Sequence, residues 1–232
     1  MDNVDSIITM FHSIADKLKY EKICEFSIEE KEEYNRLLNR LIETNSSNFS
    51  TKEKGDALED IARFVLNSGR IFDIYKDLRT TTNELDQLVK ANNAGKLLFS
   101  HNLIDSRLNT FIGECKNYQN KISVTYVGKI CSLLLTTETK ICILFSYHGV
   151  TGSDWTYASG LIRKFYLSKE NDSERFCIID FNINDFKDIQ DGNNFLQIVH
   201  DKILALKIDT EYLDLLVPHE NASKILQSLS HE

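Results

Sequence analysis

The sequence predicts an α/β fold: a central mixed β-sheet flanked by helices, preceded by an N-terminal helical hairpin. Three observations carry this expectation. Two apolar runs, Ile141-Cys142-Ile143-Leu144-Phe145 and Phe176 to Phe181, are continuous, as strands covered on both faces require. Between and after them the apolar residues fall at helical spacing, first Trp155, Ala158, Leu161, Ile162 and Phe165, then Leu196, Val199, Ile203 and Leu206. Alternation of strand and helix implies parallel strands joined by right-handed crossovers.

The remaining elements follow in order. Val4, Ile8, Phe11, Ala15 and Leu18 mark an amphipathic helix over 3–19, and Tyr34, Leu37, Leu38 and Leu41 mark a second over 28–43. The two pair as the hairpin, and the polar stretch 45–48 reads as a linker. Ser50 and Glu53 form a capping box for a helix that runs to about Leu66 and ends at Ser68-Gly69. Residues 70–77 and 83–90 read as strands joined through Thr80-Thr81-Thr82. Residues 92–107 hold either a short helix or an insertion. A third strand covers 109–116, and a helix starting near Ser123 carries Val124, Val127, Cys131 and Leu134. The tail from Ile208 contains the only proline, Pro218, and a weak helix around Ile225. The chain thus divides into an N-terminal helical region (1–46), a main domain (47–207) and a C-terminal tail (208–232).

Composition narrows the class. The chain has 232 residues, 42% hydrophobic and 27% charged, as in a soluble globular protein. No apolar run approaches the roughly 18 to 20 residues that span a bilayer, and the acidic start Met1-Asp2-Asn3-Val4-Asp5 lacks the basic region of a signal peptide. The expected location is the cytoplasm, with no membrane partner. The five cysteines, Cys24, Cys115, Cys131, Cys142 and Cys177, are odd in number, and none are spaced as CxxC. Reduced core cysteines are expected rather than a zinc site. The net charge of −8 is unevenly spread: residues 51–170 carry a small basic excess while both ends are acidic. Local potential governs phosphate binding, so this distribution is compatible with nucleic acid.

The chemistry concentrates at Phe111-Ile112-Gly113-Glu114-Cys115-Lys116. In a strand Glu114 and Lys116 project to one face and Cys115 to the other. A charged pair at the end of a core strand needs partners, because unpaired burial is costly. If 83–90 pairs antiparallel with 109–116, Asp86 lies beside Glu114. Two carboxylates ~4 Å apart repel by about 4 kcal/mol at an effective dielectric near 20. A divalent cation turns that repulsion into attraction, and Mg²⁺ favours hard oxygen ligands. The backbone carbonyl of Cys115 is a further candidate ligand. Lys116 is suited either to stabilising charge on a phosphorane-like transition state or to positioning the attacking water.

These motifs resemble the PD-(D/E)xK restriction-endonuclease superfamily, and within it the Mrr-like restriction endonucleases. The helix Lys54-Gly55-Asp56-Ala57-Leu58-Glu59-Asp60-Ile61-Ala62 is similar to that family's first core helix. Asn83-Glu84-Leu85-Asp86 and Glu114-Cys115-Lys116-Asn117-Tyr118 resemble its acidic strand and its ECKN-aromatic motif. Phe145-Ser146-Tyr147-His148-Gly149-Val150-Thr151-Gly152 resembles its strand and Gly-containing loop, and 158–167 the helix that follows. The similarity covers roughly residues 50–207.

The resemblance implies a restriction-endonuclease-like core over 47–207 and a Mg²⁺-dependent endonuclease acting on DNA, with Mn²⁺ as a substitute metal. Asp86 and Glu114 are then metal ligands, Lys116 the catalytic lysine, and Glu59 the carboxylate holding a second metal or a metal-bound water. A role in bacterial antiviral defence follows from the resemblance alone. The alternative on the same fold is a catalytically inactive DNA-binding or assembly subunit. Departures are the long interval from Asp86 to Glu114, either a substrate loop or an insertion, and Glu84, which shares the strand face of Asp86. His148 is expected to be structural, and Lys121 and Lys129 are either phosphate contacts or solvated lysines. Self-association or a partner protein is expected through the N-terminal helices.

Overall fold

The computed structural model describes residues 25–46, 48–79, 84–100, 104–152 and 157–208. The expected helix over 3–19, the Thr80–Thr82 turn, Trp155 and the tail with Pro218 and Ile225 lie outside the described residues. Helix α1 (Ile28–Thr44) begins at Ser27, whose hydroxyl accepts from the Glu30 N–H while Glu30 accepts from the Ser27 N–H. Helix α2 (Thr51–Ser68) begins the same way on Ser50 and Glu53, a type of cap that contributes about 1 kcal/mol. Its end departs from expectation. Gly69 keeps a helical φ of −72°, and the next residue, Arg70, takes the left-handed φ of 51°. That extra turn residue moves the first strand, β1 (Phe72–Arg79), two residues beyond the predicted 70–77.

The chain continues through β2 (Glu84–Ala91), α3 (Asn93–Ser100), a 3-10 turn at Ser106–Asn109, β3 (Thr110–Lys116), α4 (Val124–Thr137), β4 (Ile141–Ser146), α5 (Ala158–Tyr166), a 3-10 turn at Asp172–Glu174, β5 (Cys177–Phe181), α6 (Ile183–Gln190) and α7 (Phe195–Ile208). The described residues therefore form a five-stranded mixed sheet flanked by seven helices. Strand order is β1-β2-β3-β4-β5. The first three strands pair antiparallel and the last three parallel, so β3 is the strand where the two modes meet. No described helix is long and apolar enough to cross a membrane.

Each face of the sheet has its own core. Phe111, Cys115, Ile143, Phe145 and Phe181 join α1, α2, α6 and α7 on one side. Ile112, Cys142, Leu144 and Ile178 join α4 and α5 on the other. Strand alternation thus sends Glu114 and Lys116 toward the α4 side and the Cys115 thiol toward the α2 side. Helix α1 shares its core with the rest: the Tyr34 hydroxyl donates to the Phe186 carbonyl at 2.6 Å, and Leu38 and Leu41 are fully buried.

The ambiguous segment 92–107 resolves into α3 and the 3-10 turn. Gly95 lies so close to the link between α2 and β1 that an added Cβ would run into the Ile71 carbonyl oxygen. Arg107 is the unexpected member. Its side chain is buried, forks onto Asp105 at 2.6 Å, and donates to the Asp172 and Arg175 carbonyls at 3.0 and 3.3 Å. Helix α6 is absent from the sequence reading. It starts on a capping box between Asn182 and Asp185 and buries Asp185, Phe186 and Ile189.

Candidate active site

The β2–β3 register pairs Gln87 with Gly113, so the next opposed pair is Asp86 and Glu114, with side chains on one face. The antiparallel pairing that the sequence argument required is present. Lys116, two residues beyond Glu114, joins them. Its ammonium lies 2.7 Å from Asp86 Oδ2 and 2.9 Å from Glu114 Oε1. Both carboxylates therefore sit within about 6 Å of each other. Repulsion between them is relieved here by the lysine rather than left unbalanced. Asp86 Oδ2 also accepts from the Cys115 backbone N–H at 3.0 Å, which fixes the β2 carboxylate to the β3 backbone.

Glu114 is 7% exposed. Its Oε1 is doubly used, by Lys116 and by the Tyr126 hydroxyl, which donates at 2.5 Å. Its Oε2 is buried and has no hydrogen-bond partner. Such an orphan costs about 1–3 kcal/mol if nothing engages it. Burial opposes the charge of Lys116, but the Glu114 charge and the hydrogen bonds to Asp86 and Glu114 outweigh it and hold the ammonium above its ordinary pKa. Lys116 is thus fully protonated at neutral pH. The Tyr126 hydroxyl is pushed up by burial and then by Glu114, so it stays protonated and donates to that carboxylate.

Glu59 stands on α2, exposed to solvent. Partial burial and then the charge of Asp86 raise its carboxyl pKa. No hydrogen bond or ion pair among the described residues joins it to Asp86, Glu114 or Lys116, and no three His, Cys, Asp or Glu side chains form a metal-sized group there. The structure therefore brings three of the four expected residues into contact and leaves Glu59 within electrostatic range. The Cys115 thiol is buried in the core, as expected, and burial followed by the neighbouring carboxylates pushes its pKa well up. The Glu84 side chain lies outside the described residues. His148 packs edge-on against the Tyr147 ring, with centroids 4.9 Å apart.

Three further side chains, to which the sequence assigns no role, contribute. Tyr126 occupies the first turn of α4, where the only available signal was its place just after the capping position Ser123. Asn117 donates to the Lys54 carbonyl at 2.8 Å and ties the end of β3 to α2. Gln87 donates to the Cys115 sulfur at 3.7 Å beneath the site. The donor set is chemically suited to a hard divalent cation: two adjacent carboxylates, one of them with an orphaned buried oxygen. Compared with protein-family models, with curated proteins and with solved structures, the chain matches none.

Proposed function

We propose that this chain is a Mg²⁺-dependent endonuclease hydrolysing phosphodiester bonds in DNA on a restriction-endonuclease-like core. The observation that carries the reading is Glu114 with its two oxygens unlike: Oε1 held by Lys116 and Tyr126, and Oε2 buried and without a hydrogen-bond partner. Asp86 and Glu114 would hold the cation, with the Cys115 carbonyl and Glu59 as further oxygen donors. When bound, the metal supplies a water of lowered pKa and a clamp on the phosphate.

The chain's own residues do the rest. The Cys115 N–H keeps Asp86 in place, and Tyr126 keeps Glu114 in place. Lys116, protonated and already poised between both carboxylates, offers its ammonium to the charge that develops on the non-bridging oxygens of the scissile phosphate. The basic excess of residues 51–170 favours an anionic substrate. A bacterial defence role and assembly through the N-terminal region belong to the same proposal.

A second reading is an inactive DNA-binding or assembly subunit in which Asp86, Glu114 and Lys116 are only a structural ion triad. The favouring observation is that Lys116 bridges the two carboxylates directly, at 2.7 and 2.9 Å, as the cation of an internal ion triad does. Plasmid nicking by the full chain with Mg²⁺ or Mn²⁺, against Asp86→Ala, separates the two. Metal-dependent nicking lost in the variant supports the nuclease. Intact plasmid in both, with lowered stability of Asp86→Ala, supports the structural triad.

A further inference from the structure

We infer that Tyr118, Tyr126 and Lys129 form a stacking subsite for an unpaired nucleobase, so that the chain takes single-stranded or locally opened nucleic acid in preference to an intact duplex. The inference rests on the proposed phosphodiester chemistry and names the substrate form that chemistry would receive.

Tyr118 lies two residues past Lys116, on the loop that leaves β3, and is 49% exposed. Its ring meets the Tyr126 ring edge-to-face, with centroids 6.0 Å apart and an interplanar angle of 85°. Tyr126 is not free to move away, because its hydroxyl is bound to Glu114 Oε1 at 2.5 Å. The aromatic pair is therefore anchored directly to the carboxylate proposed to act on the phosphate. Two ammonium groups flank the same ring: Lys116 lies 5.8 Å from its centroid and Lys129 6.0 Å. Lys121, on the same loop as Tyr118, is exposed.

An aromatic face in water, bordered by cations, suits a planar base attached to a phosphate backbone. Stacking is sequence-tolerant, since every base has a π-face. In an intact duplex the base faces are covered by their neighbours, and a protein ring reaches one only after unpairing. A tyrosine that merely covered Tyr126 would add nothing to nucleic-acid affinity.

The test is fluorescence anisotropy of the full chain with a labelled mixed-sequence oligonucleotide, single-stranded and as its duplex, in EDTA so that no cleavage intervenes. The single strand is expected to bind at least about tenfold tighter than the duplex. Tyr118→Ala is expected to weaken single-strand binding on the order of 5- to 100-fold, the range for loss of one stacked base, while Tyr118→Trp retains it. Because Tyr118 is exposed, both variants keep the wild-type melting temperature. Equal affinity for strand and duplex, or an unchanged Tyr118→Ala, overturns the inference. Absence of any binding overturns this inference, and the metal-dependent nicking assay then decides the proposed function separately. Tyr118-dependent binding without metal-dependent cleavage upholds the subsite and removes only the hydrolytic reading.

Discussion

The Tyr126 hydroxyl donates to Glu114 Oε1 at 2.5 Å, so a helix on one side of the sheet sets the orientation of a carboxylate on its central strand. Tyr126→Phe keeps the ring and removes the donor. Cleavage is expected to fall about tenfold to a hundredfold, the value of a hydrogen bond of about 1.5–3 kcal/mol to a charged acceptor. Half-saturating Mg²⁺ is expected to rise, because Glu114 is no longer held. A melting temperature near wild type with an unchanged Mg²⁺ dependence would show that Tyr126 only fills space.

Lys116→Ala leaves Asp86 and Glu114 facing each other without a cation. In EDTA this variant is expected to melt lower than wild type, consistent with a loss of about 1–3 kcal/mol. Added Mg²⁺ is expected to raise its melting temperature, because ligand that binds only the folded state stabilises it. Thermal melts with and without the metal check this. A variant insensitive to Mg²⁺ would mean that the carboxylates do not bind it.

Arg107 is the internal clamp between the β2–β3 connection and the turn before β5. Arg107→Leu strands the partly buried Asp105 carboxylate and two carbonyls. The expected cost is about 3–5 kcal/mol, the range for removing one partner of a buried pair. Urea denaturation measures it, and a change below about 1 kcal/mol contradicts the role.

Asp185 supplies a pH dependence. Burial pushes its carboxyl up to about 6 from 3.8, against the opposing charge and hydrogen bond of Lys202. Between these values the folded chain keeps a proton that the unfolded chain has released. Its contribution is fully present below pH 4 and is lost as pH rises through 6, amounting to about 3 kcal/mol. Stability of wild type relative to Asp185→Asn is therefore expected to fall from pH 4 to 7. A relative stability that rises over that interval contradicts the sign.

Much of this architecture was legible because local pattern and tertiary role agree. The Ser50–Glu53 capping box marks α2, and the continuous run at 141–145 becomes a parallel strand buried on both faces. The alternation that placed Glu114 and Lys116 on one face needs only the geometry of a strand, and the opposed Asp86 followed from assuming antiparallel pairing. Helix α6 was missed because Phe186 and Ile189 are its only buried apolar residues, set among Asn and Asp that read as a turn. Arg70 shows the same limit at a helix end: the preceding Gly69 advertised the left-handed position, but the turn places it one residue later. Tyr126 and Arg107 act through contacts 12 and 65 or more residues away in sequence, which no local pattern encodes.

Asp86, Glu114 and Lys116 are proposed to hydrolyse phosphodiester bonds with a metal's help. Single-turnover cleavage of an end-labelled oligonucleotide, across a Mg²⁺ titration, tests it most directly in wild type, Asp86→Ala and Lys116→Ala. The rate is expected to rise with Mg²⁺ and saturate in wild type, and to fall by about 100-fold or more in both variants, as loss of transition-state charge stabilisation requires. Wild-type and variant rates within about threefold of each other at every Mg²⁺ concentration would contradict it.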